Sequence, residues 1–260
     1  MKLEEIIDLK RYPITDDAFK EQSRQTVAEK GALAMPEFLT GAALEAIRKE
    51  GEQKQDQAFF SRQFHNVYLT DNNPEFADDH AFNRQVVSSK GCITDDIVGD
   101  ESALRELYNA QSFKDFLSYV FGEDALYPYA DPLSSINLHY AKKGQELGWH
   151  FDNSSFAITL MIQPTEKGGQ FEYIKEVRDA DAGEMNFDKV NSVLDGKETP
   201  QQLSMDAGAL VLFRGRNAIH RVTPNEGDRT RMLVVLAYNS QPNIALSGSA
   251  RMTFYGRLGE

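Results

Sequence analysis

This 260-residue chain has a single cysteine, no long apolar run and a shortage of basic residues, and each lack excludes something. The lone Cys92 rules out an internal disulfide and fits a reducing compartment, here expected to be the cytoplasm. It is read as a buried bystander, not a nucleophile. No apolar stretch reaches the roughly 18 residues that span a bilayer, so no membrane partner is expected. Met1-Lys2-Leu3-Glu4-Glu5-Ile6-Ile7-Asp8 lacks a basic start followed by an apolar core, so no secretory signal is expected either. Lys and Arg number 28 against 40 Asp and Glu, and the net charge is −12. Without clustered basic residues a nucleic-acid partner is not expected. The negative field mildly favours a small or cationic substrate, and serves solubility equally well. No internal repeat, low-complexity run or flexible linker interrupts the chain, so residues 1–260 are expected to form one domain.

What is present is enough apolar sequence, 41% hydrophobic, to bury a sizeable core at this length. Residues 1–126 read as mostly helical support. Asp16 to Lys30 starts at a capping Asp and stops at Gly31, and Thr40 caps a helix to Glu50. A short strand and turn lie between, within Gly31–Leu39. Residues 51–100 read as polar and irregular, followed by helices over Ser102–Asn109 and Ser112–Phe121, the latter stopped by Gly122. From residue 127 to 240 strand patterns take over: Ser134–Ala141, Phe156–Gln163, Gln170–Ile174, Gly208–Phe213, Ile219–Thr223 and Arg231–Tyr238. Residues 175–205 break this rhythm as an acidic insertion, a candidate lid, with a short helix around Phe187–Leu194. Residues 241–260 form a tail. The fold class is α+β with a mainly β core, a double-layer jelly roll with the N-terminal helices packed on one sheet.

The chemistry concentrates in Gly148-Trp149-His150-Phe151-Asp152-Asn153. On a strand, residues two apart point to the same face, so His150 and Asp152 would aim an imidazole nitrogen and a carboxylate oxygen at one point. His220, on a distant strand, supplies a second imidazole. Two His and one carboxylate on one face, with other positions open, are the ligand set of non-haem Fe(II) oxygenases. Such a centre leaves room for O2 and a chelating anionic cosubstrate, whose far end needs a cation. Arg suits it, because its rigid fork binds a carboxylate through two bonds. Arg229 and Arg231 both follow His220 across the Pro224–Asp228 turn, with the same strand parity. Arg231 begins the apolar strand proper and is favoured as the deeper of the two.

These pieces resemble the Fe(II)/2-oxoglutarate-dependent oxygenase superfamily. The resemblance runs from about residue 127 to 240, through Trp149-His150-Phe151-Asp152, Gly168-Gly169-Gln170-Phe171-Glu172-Tyr173, Asp206-Ala207-Gly208 with the strand after it, and His220-Arg221-Val222-Thr223-Pro224 followed by Arg231. More narrowly the chain is similar to the branch of free amino-acid hydroxylases and their radical halogenase relatives, which the helical N-terminal half and Asp131-Pro132-Leu133 also suit. The resemblance implies a double-stranded β-helix. It also implies Fe(II) as cofactor, with 2-oxoglutarate and O2 as cosubstrates, and decarboxylation of 2-oxoglutarate to succinate and CO2. His150, Asp152 and His220 carry over as iron ligands and Arg231 as anchor for the distal carboxylate. The halogenases of this branch have Gly in place of the ligand carboxylate; Asp152 therefore implies hydroxylation. For the substrate, the resemblance offers Asp131 as partner of a side-chain ammonium, Arg84 as carboxylate clamp, and Asn153, where lysine-acting relatives tend to be acidic.

The expected function is hydroxylation of an unactivated C–H bond of a small substrate, a free amino acid, with a lysine-like cationic one weakly favoured. The same chemistry on a carrier-bound or peptide substrate, or with desaturation as outcome, stays open. The reading from another class is a jelly-roll module that binds a metal or ligand without turnover, against which the cosubstrate clamp speaks. The sequence leaves the oligomeric state open, a homodimer included.

Overall fold

The computed structural model describes residues 1–259. After one helical turn, α1 (Leu3–Ile6), helix α2 (Asp17–Lys30) begins where Asp16 accepts a hydrogen bond from the Phe19 N–H. It ends where Gly31 turns left-handed at φ 73°. Strand β1 (Ala32–Met35) follows. Thr40 caps α3 (Gly41–Lys54) by accepting from the Ala43 N–H, and this helix runs a turn beyond the expected Glu50. Ser102 caps α4 (Ala103–Asn109), and α5 (Gln111–Phe121) stops at left-handed Gly122.

Between α3 and α4 the structure corrects the sequence reading. Residues 51–100 hold two strands, β2 (Phe59–His65) and β3 (Val86–Ile93), paired antiparallel along the full length of β2. Neither shows the apolar–polar alternation of a half-buried strand. β2 joins the sheet through β3 alone and exposes Phe59, Phe60 and Phe64, while β3 spends its middle on Ser88, Ser89, Lys90 and Gly91.

The remaining strands are β4 (Ile136–Ala141), β5 (Leu147–His150), β6 (Ala157–Gln163), β7 (Phe171–Ile174), β8 (Gln201–Leu203), β9 (Leu210–Phe213), β10 (Ile219–Val222) and β11 (Arg231–Leu236). Helix α6 (Phe187–Leu194) lies in the insertion, as expected, and α7 (Gly248–Tyr255) makes the tail more ordered than its sequence suggested. The 11 strands run in the order β1-β9-β6-β11-β4-β3-β5-β10-β7-β8, with β2 attached to β3, and every pairing is antiparallel. The result is a nearly closed barrel, a double-stranded β-helix. Among the described residues no helix is long and apolar enough to cross a membrane.

Strand alternation divides the side chains of β4, β6, β9 and β11. Leu138, Leu160, Leu212, Met232 and Val234 point outward and bury against Phe38, Phe113, Phe116 and Leu117 from the helical half. The inward residues of the same strands face the barrel interior. A second apolar cluster backs β5 and β10: Trp149, Phe151 and Ile219 meet Val67 and Tyr68 from the 66–85 loop and Val177, Val190 and Val193 from the insertion. Residues 175–205 are thus packed onto the strands that carry both histidines. Phe113 is fully buried, its ring 6.0 Å from that of Phe38. Phe113→Ala should cost about 3–5 kcal/mol of stability, read as a lowered urea midpoint at unchanged slope; a loss under about 1 kcal/mol would show that α5 does not anchor the helical layer.

Candidate active site

β5 and β10 pair antiparallel with His220 directly opposite His150, which brings the two rings to 4.2 Å between centroids. Each ring is oriented by its own strand. His150 Nδ1 lies 2.7 Å from the Gly148 carbonyl oxygen and His220 Nδ1 lies 3.0 Å from that of Ala218. Donation to these carbonyls puts a proton on Nδ1 and turns both Nε2 atoms toward the interior. Gly148 is required here: a Cβ would come within 2.6 Å of the Val87 carbonyl oxygen, and the Gly148 N–H donates to Ser88 Oγ at 3.0 Å.

Asp152 arrives by a route that strand parity did not foresee. β5 ends at His150. The chain then leaves the sheet, with the Phe151 N–H donating to the Val67 carbonyl (2.8 Å) and the Asp152 N–H to that of Gly215 (3.1 Å). These loop contacts place Asp152 Oδ1 3.4 Å from His220 Nε2 and 3.9 Å from His150 Nε2. One ligand atom from each of the three lies within 4.8 Å of the others. The second carboxylate oxygen, Oδ2, is buried and without a hydrogen-bond partner, a costly arrangement that a cation would relieve. Gly215 makes room for it: a Cβ there would stand 1.8 Å from Oδ2 and 2.5 Å from Cγ.

The protonation states suit a metal. Burial pushes the His150 imidazole far below its ordinary value, and His220 beside it pushes the same way. Burial raises Asp152, but His220, His150 and Arg178 more than offset this and hold the carboxylate below its usual range. Neutral imidazole and ionised carboxylate are the forms that bind a metal. Two nitrogens and one oxygen with one side open are a fit for Fe(II).

The three side chains line one end of a cavity of about 260 Å³ whose walls are mostly apolar, among them Phe156, Phe171, Phe213, Leu233 and Tyr238. Arg231 lies in its wall, 5% exposed, with Nε unpartnered, and burial pushes its guanidinium down to about 10. Arg229 lies outside, exposed, reaching only the Thr165 carbonyl at 3.5 Å. Of the two arginines that parity could not separate, only Arg231 lines the cavity that the histidines line.

The three substrate candidates stay out of the cavity wall. Asp131 is buried, but Oδ1 accepts from the Leu133 N–H and Ser134 Oγ and Oδ2 from the Leu246 N–H, so it holds the loop before β4 together. Arg84 pairs with Asp195 at 2.8 Å and donates to Asn191, tying the loop before β3 to α6 and its end. Asn153 is exposed, its carbonyl accepting from Arg216. Sequence reasoning passed over Lys90, Tyr129, Ser154 and Met205, which do line the cavity. The one available signal was for Lys90, an isolated cation between Ser89 and Gly91, and it needed β3 to be read as a strand. His139 also lines the cavity, on β4. His65 stands behind His150 with both nitrogens engaged, by the Asn66 carbonyl and Ser88 Oγ. Cys92 is buried, which raises its thiol to about 11 and keeps it unreactive.

A profile of the family described as HalD, Halogenase D, matches residues 15–253. No curated protein sequence matches the chain. Among solved structures, an oxidoreductase of the 2OG-Fe(II) oxygenase family from Burkholderia pseudomallei is similar at TM-score 0.53 and 12% identity, covering 88% of this chain and 94% of the other. The non-heme alpha ketoglutarate dependent epimerase SnoN from nogalamycin biosynthesis is similar at TM-score 0.59 and 13% identity, covering 86% and 81%. A Pseudomonas putida prolyl-4-hydroxylase gives 0.51 and 12%, covering 83% and 96%. At these identities the likeness is one of fold.

Two expectations follow from the geometry. Gly215→Ala should displace the Asp152 carboxylate and weaken binding of Mn(II), titrated calorimetrically, by about 10–100-fold; unchanged affinity would mean that Asp152 is not held where a metal needs it. The second concerns acid. Burial, Lys90 and Arg231 hold His139 well below its ordinary 6.5. Below about pH 6.5 the unfolded chain takes up a proton there that the folded chain refuses, so stability should fall by about 1.4 kcal/mol per pH unit from this residue alone. Urea midpoints measured from about pH 7 to 5 should fall less steeply for His139→Gln than for the wild type, and parallel curves would remove His139 from the account.

Proposed function

The chain belongs to the Halogenase D family and, with its two-His, one-carboxylate centre on a double-stranded β-helix, to the Fe(II)/2-oxoglutarate oxygenase superfamily; on that premise we propose that it hydroxylates an unactivated C–H bond of a small free amino acid. The observation that carries the outcome is Asp152. Its carboxylate stands with the two imidazoles, so halide finds no protein-ligand position left open for it.

In this reading His150 and His220 bind the metal through Nε2 and Asp152 through its carboxylate. Bound there, Fe(II) supplies the activation of O2 that 2-oxoglutarate drives by its oxidative decarboxylation to succinate and CO2. The protein's own part is to orient and to exclude. The Gly148 and Ala218 carbonyls fix the imidazole tautomers. Arg231, buried and lacking an acidic partner, takes the distal carboxylate of 2-oxoglutarate and so sets its reach toward the metal. The apolar walls keep water from the reacting carbon.

A small substrate is supported by the modest cavity volume, and a free amino acid by the resemblance of the site motifs to amino-acid hydroxylases. The weak preference for a lysine-like cation loses support: Asp131 is spent within the fold, and no carboxylate other than Asp152 lines the cavity among the described residues. Cys92 as a buried free thiol keeps the reducing cytoplasm as the setting.

The test is succinate formation with Fe(II), 2-oxoglutarate and O2 across a panel of free amino acids. One of them should stimulate turnover well above the substrate-free rate and yield a hydroxylated product. No stimulation by any amino acid would overturn the substrate class, and a halogenated product in the presence of chloride would overturn the reading of Asp152. Asp152→Gly should cut hydroxylation by about 100-fold or more, beyond the cost usual for residues that merely support a metal ligand; unchanged hydroxylation would sink the ligand assignment.

A further inference from the structure

Three adjacent strands turn nitrogen groups inward at one end of the cavity. Cys92 pairs with His139 across β3 and β4, and Leu233 with His139 across β4 and β11. Residues two apart on a strand share a face, so Lys90, His139 and Arg231 all point into the barrel. Lys90 Nζ lies 3.1 Å from His139 Nε2 and 3.3 Å from Nδ1. Lys90, His139 and Arg231 line both the main cavity and a small adjoining recess of about 20 Å³.

Charge makes this end unusual. Lys90 and Arg231 form no ion pair among the described residues, and the one carboxylate whose field reaches Lys90 is the metal-site Asp152. Burial lowers both cations, and no nearby charge shifts Arg231. His139 is held neutral between them and so adds no third charge. Two desolvated cations without a counter-ion cost folding free energy, and an anion that enters recovers it. An ammonium carries three N–H donors, and His139 engages it from one side.

We propose that Lys90 is a second anchor for the distal carboxylate of 2-oxoglutarate, acting with Arg231 and held in place by His139. The inference rests on the oxygenase reading of the same site. Lys90 and Arg231 then divide the two oxygens of one carboxylate, and the pocket selects five-carbon dicarboxylic 2-oxo acids over monocarboxylic ones of equal length more strongly than one arginine would. Lys90 acts on binding of the cosubstrate and leaves the metal ligands untouched.

The test is calorimetric titration of the Mn(II)-loaded protein, without O2, with 2-oxoglutarate and separately with 2-oxopentanoate, which lacks the distal carboxylate. The wild type should prefer 2-oxoglutarate. Lys90→Met should weaken 2-oxoglutarate by about 10–100-fold, the range of a charge-assisted hydrogen bond, and leave 2-oxopentanoate within about threefold. Lys90→Met, with one unpaired cation fewer, should also melt no lower than the wild type when ligand-free, and gain less thermal stability from 2-oxoglutarate. Should it fail to fold, Lys90→Gln is read the same way. If Arg231→Met loses the preference while the Lys90 variants keep wild-type affinity, the Lys90 assignment falls and the oxygenase reading stands. If the wild type itself shows no preference for 2-oxoglutarate, the oxygenase reading falls first.

Discussion

The antiparallel register that sets His220 opposite His150 is the constraint on which the site depends. A slip of one residue between β5 and β10 would carry one imidazole to the outer face and bring its neighbour inward. The register is held from both sides. Outside, Trp149, Phe151 and Ile219 are fixed by the apolar cluster that the 66–85 loop and the insertion build. Inside, the close approach of Gly148 to Val87 ties β5 to β3. The packing that stabilises β5 and β10 is therefore the same packing that aligns the two imidazoles.

The opposite end of the cavity is organised by electrostatics. Arg231 and Lys90 bring positive charge into an apolar barrel of an otherwise acidic protein, and among the described residues neither forms an ion pair there. The metal end holds a carboxylate whose free oxygen lacks a donor. The cavity lining is thus polarised, anionic at one end and cationic at the other, and matches a ligand that brings a metal to the first and a carboxylate to the second.

Much of this was legible in sequence where the cause is local. Asp16, Thr40, Gly31 and Gly122 mark helix ends because capping acts within one turn. The apolar runs of β6, β9 and β11 announce interior strands. His150, Asp152 and His220 were legible as residue types, yet Asp152 reaches its place through contacts with Val67 and Gly215 instead of by strand alternation. The misses are long-range. Asp131 looked free until Leu246, far along the chain, took its second oxygen. β3 hid because its middle, Ser88 to Gly91, lacks apolar residues, and that same stretch brings Lys90 to the cavity.

The exit of the chain from the sheet after His150 separates two kinds of ligand mechanically. The imidazoles belong to a strand ladder that the whole barrel enforces, whereas the carboxylate sits on a turn steadied by two carbonyls and a glycine. Exchange of the carboxylate would change what the site offers a metal while leaving every ladder hydrogen bond intact. A scaffold of this kind leaves the carboxylate position free to change with little penalty to the fold.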